Sequence, residues 1–180
     1  MALFLAIKLP EEKAVELSLQ LSDLKKTYPD FRWVAPSDYH ITVQFIGEIS
    51  DVDRLKNKIE KAIFEIPSFY LFAQEADLFF RQTLVMYVGV HRNRMLRNLM
   101  DVVREELHLK EKKGKEFMPH LTFARYRIPS KQQYLLIKKK VQRLKVELGF
   151  LVTQITLFDS VIENNKSQYK IVAEFPLVSE

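Results

Sequence analysis

The chain has no cysteine among its 180 residues. That excludes a disulfide scaffold, a thiolate zinc site and a cysteine nucleophile, and it suits a reducing, cytoplasmic setting. No apolar run approaches the roughly 20 residues of a membrane-spanning helix. The opening "MALFLAIKLP" is short and has no basic flank, so it is expected to be a first strand rather than a signal peptide. Low-complexity tracts and linker-like stretches are missing as well. What is present is ample core material, with 47% hydrophobic and 12% aromatic residues in a length that fits a single domain. The net charge of +5 and the pI near 9.3 favour an anionic partner, nucleic acid being a common one.

Runs rich in β-branched and aromatic residues predict strands at Leu3–Ile7, His40–Ile46, Tyr70–Ala73, Thr83–Val90, His120–Tyr126, Phe150–Phe158 and Tyr169–Phe175. Helices are expected between them. Glu11–Lys26 and Val52–Ile66 carry apolar residues at three- and four-residue steps, and Asn93–Leu107 and Lys131–Leu144 do so more loosely. Ser130, three residues before Gln133, has the spacing of a capping box. The alternation gives an α+β or α/β class.

Two short stretches stand out, "HITVQF" from His40 and "HLTFAR" from His120. In a strand, residues two apart share a face. His40 therefore stands beside Thr42 and His120 beside Thr122. Strict alternation puts Ile41, Val43 and Phe45 on the opposite, core-facing side, and Gln44 with His40. The motifs lie 80 residues apart, and the same offset aligns Ser50 with Ser130, Leu55 with Leu135 and Gln74 with Gln154. An internal duplication is the expectation, with the two HxT strands in equivalent places.

A lone H-x-T is common. A matched pair carries more, because transfer at phosphorus wants one group to deprotonate the nucleophile and another to protonate the leaving oxygen on the far side. Histidine serves either role, with an ordinary pKa of about 6.5. The threonine hydroxyls can donate to non-bridging oxygens. A zinc site is a weaker reading, since each motif offers one histidine and zinc needs three or four protein ligands. No metal and no cofactor are expected. His91 and His108 lack comparable partners and are expected at the surface.

These motifs, with "LFLAIKLP", "RWVAPSDYHITVQFIGE", "FMPHLTFAR", "ITLFDSVI" and "YKIVAEFPL", span nearly the whole chain. Together they resemble the two-histidine phosphoesterase superfamily, in its LigT-like branch of RNA 2′,3′-cyclic phosphodiesterases, once called 2′–5′ RNA ligases. The resemblance implies an α+β fold of two pseudo-symmetric lobes, each with an antiparallel sheet and helices, around an active cleft. It implies metal-independent opening of a 2′,3′-cyclic phosphate to a 2′-phosphate, with reversible 2′–5′ ligation beside it. The partners implied are RNA 3′ ends, tRNA halves among them, handled by a monomer away from membranes.

The resemblance makes His40 the acid toward O3′ and His120 the base for water, with Thr42 and Thr122 on the phosphate. Arg125 matches a basic position of the family. Strict alternation turns it away from His120, so it reaches the phosphate only if the strand bulges or ends near Ala124. Arg32 and Trp33 are candidate substrate contacts, Trp33 by stacking on a base or, alternatively, as a packing residue. The lysine-rich loop Leu109–Phe117 can contact phosphates or simply be solvated. Val43 and Phe123 depart from the leucines frequent in the family, and both stay apolar. A small cyclic nucleotide, a 2′–5′ oligoadenylate, or RNA binding without turnover are the competing readings.

Overall fold

A computed structural model describes residues 2–80, 82–110, 118–127, 130–163 and 166–179. In chain order the elements are β1 (Ala2–Lys8), α1 (Glu11–Gln20), α2 (Ser22–Thr27), β2 (Arg32–Trp33), β3 (His40–Gly47), α3 (Val52–Ile63), β4 (Phe69–Phe80) and β5 (Leu84–Val90). There follow α4 (Arg94–Glu106), β6 (His120–Tyr126), α5 (Lys131–Val141), β7 (Glu147–Val152), β8 (Gln154–Glu163) and β9 (Lys166–Pro176). The class is α+β. The expected helix Glu11–Lys26 breaks at Leu21, and the expected strand Phe150–Phe158 divides at Thr153 into β7 and β8.

The strands form one sheet in the order β7-β4-β5-β6-β3-β1-β8-β9, with β2 beside β6, and each named pairing is antiparallel. Two half-sheets meet at a narrow seam. There β3 and β6 share a single registered pair, Ile41 with Leu121, both fully buried. Beyond it β2 takes the place of β3, pairing Arg32 with Arg125 and Trp33 with Ala124. Counted outward from the seam, β3, β1 and β8 mirror β6, β5 and β4.

One face of the sheet is apolar and packs on the helices. Leu3, Leu5 and Ile7 of β1 join Leu84, Met86 and Val88 of β5 and Leu55, Ile59, Leu96 and Leu99 of the helices in one core. Capping starts the helices where the sequence predicts. Asp51 accepts from the Arg54 amide, Asn93 from the Leu96 amide and Ser130 from the Gln133 amide, at 2.9, 2.9 and 3.2 Å. The other face of the sheet is left open, and it carries both histidines.

Candidate active site

His40 begins β3 because the chain before it is anchored. Tyr39 is buried, its hydroxyl is hydrogen-bonded to Ser18, and its carbonyl accepts from the Leu9 amide at 2.9 Å. At the ring, Nδ1 lies 2.7 Å from the Asp38 carbonyl oxygen. In the other half, His120 Nδ1 lies 2.8 Å from the Met118 carbonyl oxygen. A carbonyl only accepts, so each Nδ1 carries a proton and donates it. Both Nε2 atoms are thereby left to exchange protons with a substrate.

The seam register sets the spacing. With Ile41 opposite Leu121, the antiparallel ladder puts His40 across from Thr122 and Thr42 across from His120. The two histidines are diagonal neighbours, about 7–8 Å apart at the backbone, a gap their rings can span around a phosphate. The charge of His120 is felt at His40. Burial among Phe4, Phe158 and Tyr169, whose ring centroids lie 5.2, 5.9 and 4.9 Å away, pushes His40 below the ordinary histidine value. Arg125 and His120 push the same way, and the Asp38 carbonyl and carboxylate oppose them. His120 is framed by Phe79 and Tyr87, each 5.4 Å off.

Strict alternation fails in both motifs, and at the same place. Ala6 pairs with Thr42 and Leu5 with Gln44, skipping Val43. Tyr87 pairs with Thr122 and Met86 with Ala124, skipping Phe123. A β-bulge of this kind inserts one residue and reverses the faces beyond it. In β6 the consequence is that Ala124 joins the core side with Met86, while Arg125 turns to the open face beside Val85. The bulge that Arg125 needs is present. In β3 the expectation is corrected. Gln44 pairs with the core residue Leu5 and leaves the His40 face, and Phe45 takes its place, paired with Phe4 and 66% exposed.

Arg32 lies directly across from Arg125 and shares its side. Trp33 is turned to the core. Its ring stacks on Phe31 and Phe123 at centroid distances of 5.9 and 6.0 Å, and its indole N–H donates to the Tyr28 carbonyl at 3.0 Å. The structure therefore gathers His40, Thr42, His120, Thr122, Arg125 and Arg32 on one face and leaves Trp33 out. His91 and His108 are exposed, as expected. Residues 111–117 of the lysine-rich loop lie outside the described residues. Tyr169 and Tyr87 pack on the rings of His40 and His120, and Phe45 shares their face; alternation and motif reading miss all three. Their places depend on a bulge and on pairings between distant strands, which no local pattern announces.

The sequence profile of the 2′-5′ RNA ligase superfamily matches residues 12–161. The chain belongs to that superfamily. An RNA 2′,3′-cyclic phosphodiesterase of Methanocaldococcus jannaschii is 26% identical over 97% of this chain and 100% of its own. One from Aquifex aeolicus is 28% identical over 81% of each chain. Among solved structures, a Thermus thermophilus protein superposes with a TM-score of 0.78 at 22% identity, covering 100% of both chains. Apo E. coli LigT gives 0.75 at 22% identity, over 98% of this chain and 96% of its own. The likeness of fold to these two structures extends over nearly the whole chain, β9 included. Among the described residues no cluster of His, Cys, Asp and Glu suits a metal ion, and no helix is long and apolar enough to cross a membrane.

Proposed function

We propose that the protein hydrolyses RNA ends bearing a 2′,3′-cyclic phosphate, leaving a 2′-phosphate, by acid–base catalysis between His40 and His120 and without a metal. The observation that carries this is the matched pair of imidazoles. Each is locked in the tautomer that presents Nε2, and each stands across the seam from the other motif's threonine. The names of the Methanocaldococcus and Aquifex relatives supply the substrate class.

The proton balance closes within this set. His120 takes a proton from water, the water oxygen bonds to phosphorus opposite O3′, the P–O3′ bond breaks, and His40 protonates O3′. The Thr42 and Thr122 hydroxyls and the Arg125 guanidinium stabilise the charge that gathers on the non-bridging oxygens. Burial pushes His40 below the ordinary histidine value in the free protein, so the proton it gives to O3′ is taken up from solvent as the substrate binds, its phosphate anion favouring the imidazolium. The same ring opening with a 5′-hydroxyl in place of water, His120 taking its proton and His40 protonating O3′, joins the two ends as a 2′–5′ linkage. Phe45 and Arg32, at the rim, meet the sugar, base or neighbouring phosphate. The setting proposed is a monomer in the cytoplasm, acting on RNA 3′ ends such as tRNA halves.

The test is turnover of a short RNA with a 2′,3′-cyclic phosphate end in EDTA, with the product's phosphate located. A 2′-phosphate is expected. A 3′-phosphate, or a rate that depends on added divalent metal, would overturn the scheme.

A further inference from the structure

Two rings on β4 have no part in this chemistry. Tyr70 and Phe72 are 60% and 55% exposed, and their rings stack side by side, 6.4 Å between centroids and 20° between planes. Along β4, Phe69, Leu71 and Ala73 face the core, so Tyr70, Phe72 and Gln74 face the other way. Glu75, at φ 64, is the extra residue of a bulge that keeps Asp77 and Phe79 on that same side. Phe79 touches the ring of His120. The stacked pair therefore stands on the face that carries the catalytic histidines, in the same half-sheet.

The ground between is flat and the rings are held up. On the row of His120 lie Gly89 and then Gln74, with no side chain at the glycine. The pair is two strands over and two to four residues along from that row, about 12 Å (Phe72) and about 17 Å (Tyr70) from the His120 backbone. Beneath Phe72 is Gly149 of β7, where an added Cβ would meet the ring's Cε1 at 3.0 Å and Cδ1 at 3.2 Å. The ring lies over that bare backbone. Alongside runs the segment after β5, whose His91 amide donates to the Phe72 carbonyl at 2.8 Å and whose Asn93 side chain donates to the Tyr70 carbonyl at 2.9 Å. That segment presents His91, Arg92 and Arg94, all exposed. Glu147, level with Gln74, is tied to its amide at 3.5 Å. Paired rings flanked by cations are what single-stranded nucleic acid binds, bases on the π-faces and phosphates on the charges.

A second copy of the chain is a poorer occupant. The outer strand β7 is the natural place for sheet extension, but Gln20 of α1 closes it at Glu147. It donates to that carbonyl and accepts from that amide, both at 3.2 Å.

We infer that Tyr70 and Phe72 form a stacking platform for bases of the RNA strand upstream of the end held between His40 and His120, with the 91–94 segment along its backbone. The inference rests on the RNA-end reading for its ligand. Binding and chemistry then separate. Anisotropy with unreactive single-stranded RNAs, from one to about eight nucleotides, reads the platform, and turnover of a 2′,3′-cyclic mononucleotide reads the chemistry.

Affinity of the wild type is expected to rise with length. The double variant Tyr70→Ala, Phe72→Ala should lose that rise, about tenfold per ring, with mononucleotide turnover unchanged. Phe72→Trp should restore much of it, and Gly149→Ala should cost part of it by displacing the Phe72 ring. Length-independent affinity in the wild type, or an undiminished rise in the double variant, would overturn the platform. So would a dimer that dissociates in the double variant while RNA affinity holds. A wild type that binds RNA in this way but does not turn over the mononucleotide would sink the phosphodiesterase reading and leave the platform standing.

Discussion

In β3 the residue that the neighbouring strand skips is Val43, and in β6 it is Phe123, 80 positions on. Each histidine bonds a carbonyl two residues before it, and each threonine sits two residues after it. The side chains returned to the open face beyond the two bulges are nevertheless unlike, Phe45 in one half and Arg125 in the other. The backbone device is repeated and its payload is not. Such a repeat supports an internal duplication, which we propose as the origin of the two halves. It also teaches why the site is asymmetric. A cyclic phosphate end has an anionic side and a nucleoside side, and a charged residue toward one end of the seam with an aromatic one toward the other matches that division.

The largest expected effect tests what the halves share. His40→Ala and His120→Ala should each lower kcat by about 10²- to 10⁴-fold, with RNA affinity largely kept. The wild-type rate should be bell-shaped in pH, each variant losing one limb. A variant that keeps a wild-type rate would show that its half supplies no proton transfer. Next comes the payload. Arg125→Gln should cost about 10- to 100-fold in kcat/KM on any cyclic phosphate, as loss of a charged hydrogen bond does. Phe45→Ala should raise KM about tenfold for substrates with a base and leave a base-free ribose cyclic phosphate unaffected. Equal effects of both variants on both substrates would erase the division of labour.

The sequence carries the histidines, their threonine neighbours and most strands and helices, because these follow from period-2 and three-to-four spacing. The cap at Ser130 follows from its spacing to Gln133. Gln44 and Phe45 were not legible, since a bulge at Val43 exchanges their faces and nothing in "HITVQF" marks it. For Arg125 the sequence states the condition, a bulge near Ala124, and only strand pairing meets it. Trp33 shows the opposite limit. Its ring and N–H are both engaged within the core, a matter of tertiary packing that a lone tryptophan beside a motif does not disclose. The division of β7 from β8 at Thr153 was hidden for a related reason. Two apolar strands in sequence read as one run until their partners, β4 and β1, are known to lie on opposite sides of the seam.

The smallest effect sharpens the contrast between the two rings' surroundings. His40 is pushed below its ordinary value chiefly by burial among Phe4, Phe158 and Tyr169. A folded pKa below the unfolded one means that, between the two, the unfolded chain binds more protons. Stability therefore rises with pH through that interval. The contribution is fully present above about 6.5, the unfolded histidine value, and declines as the pH falls below it, until the folded group also titrates. Urea unfolding from pH 7.5 down to about pH 5 reads this directly. His40→Gln, which has no proton to take up, should show a shallower fall in stability than the wild type, whereas His120→Gln should keep the share that His40 supplies. If His40→Gln follows the wild-type curve throughout, the aromatic surround does not hold His40 neutral. The proton it gives to O3′ would then be resident before the substrate arrives rather than brought on by it.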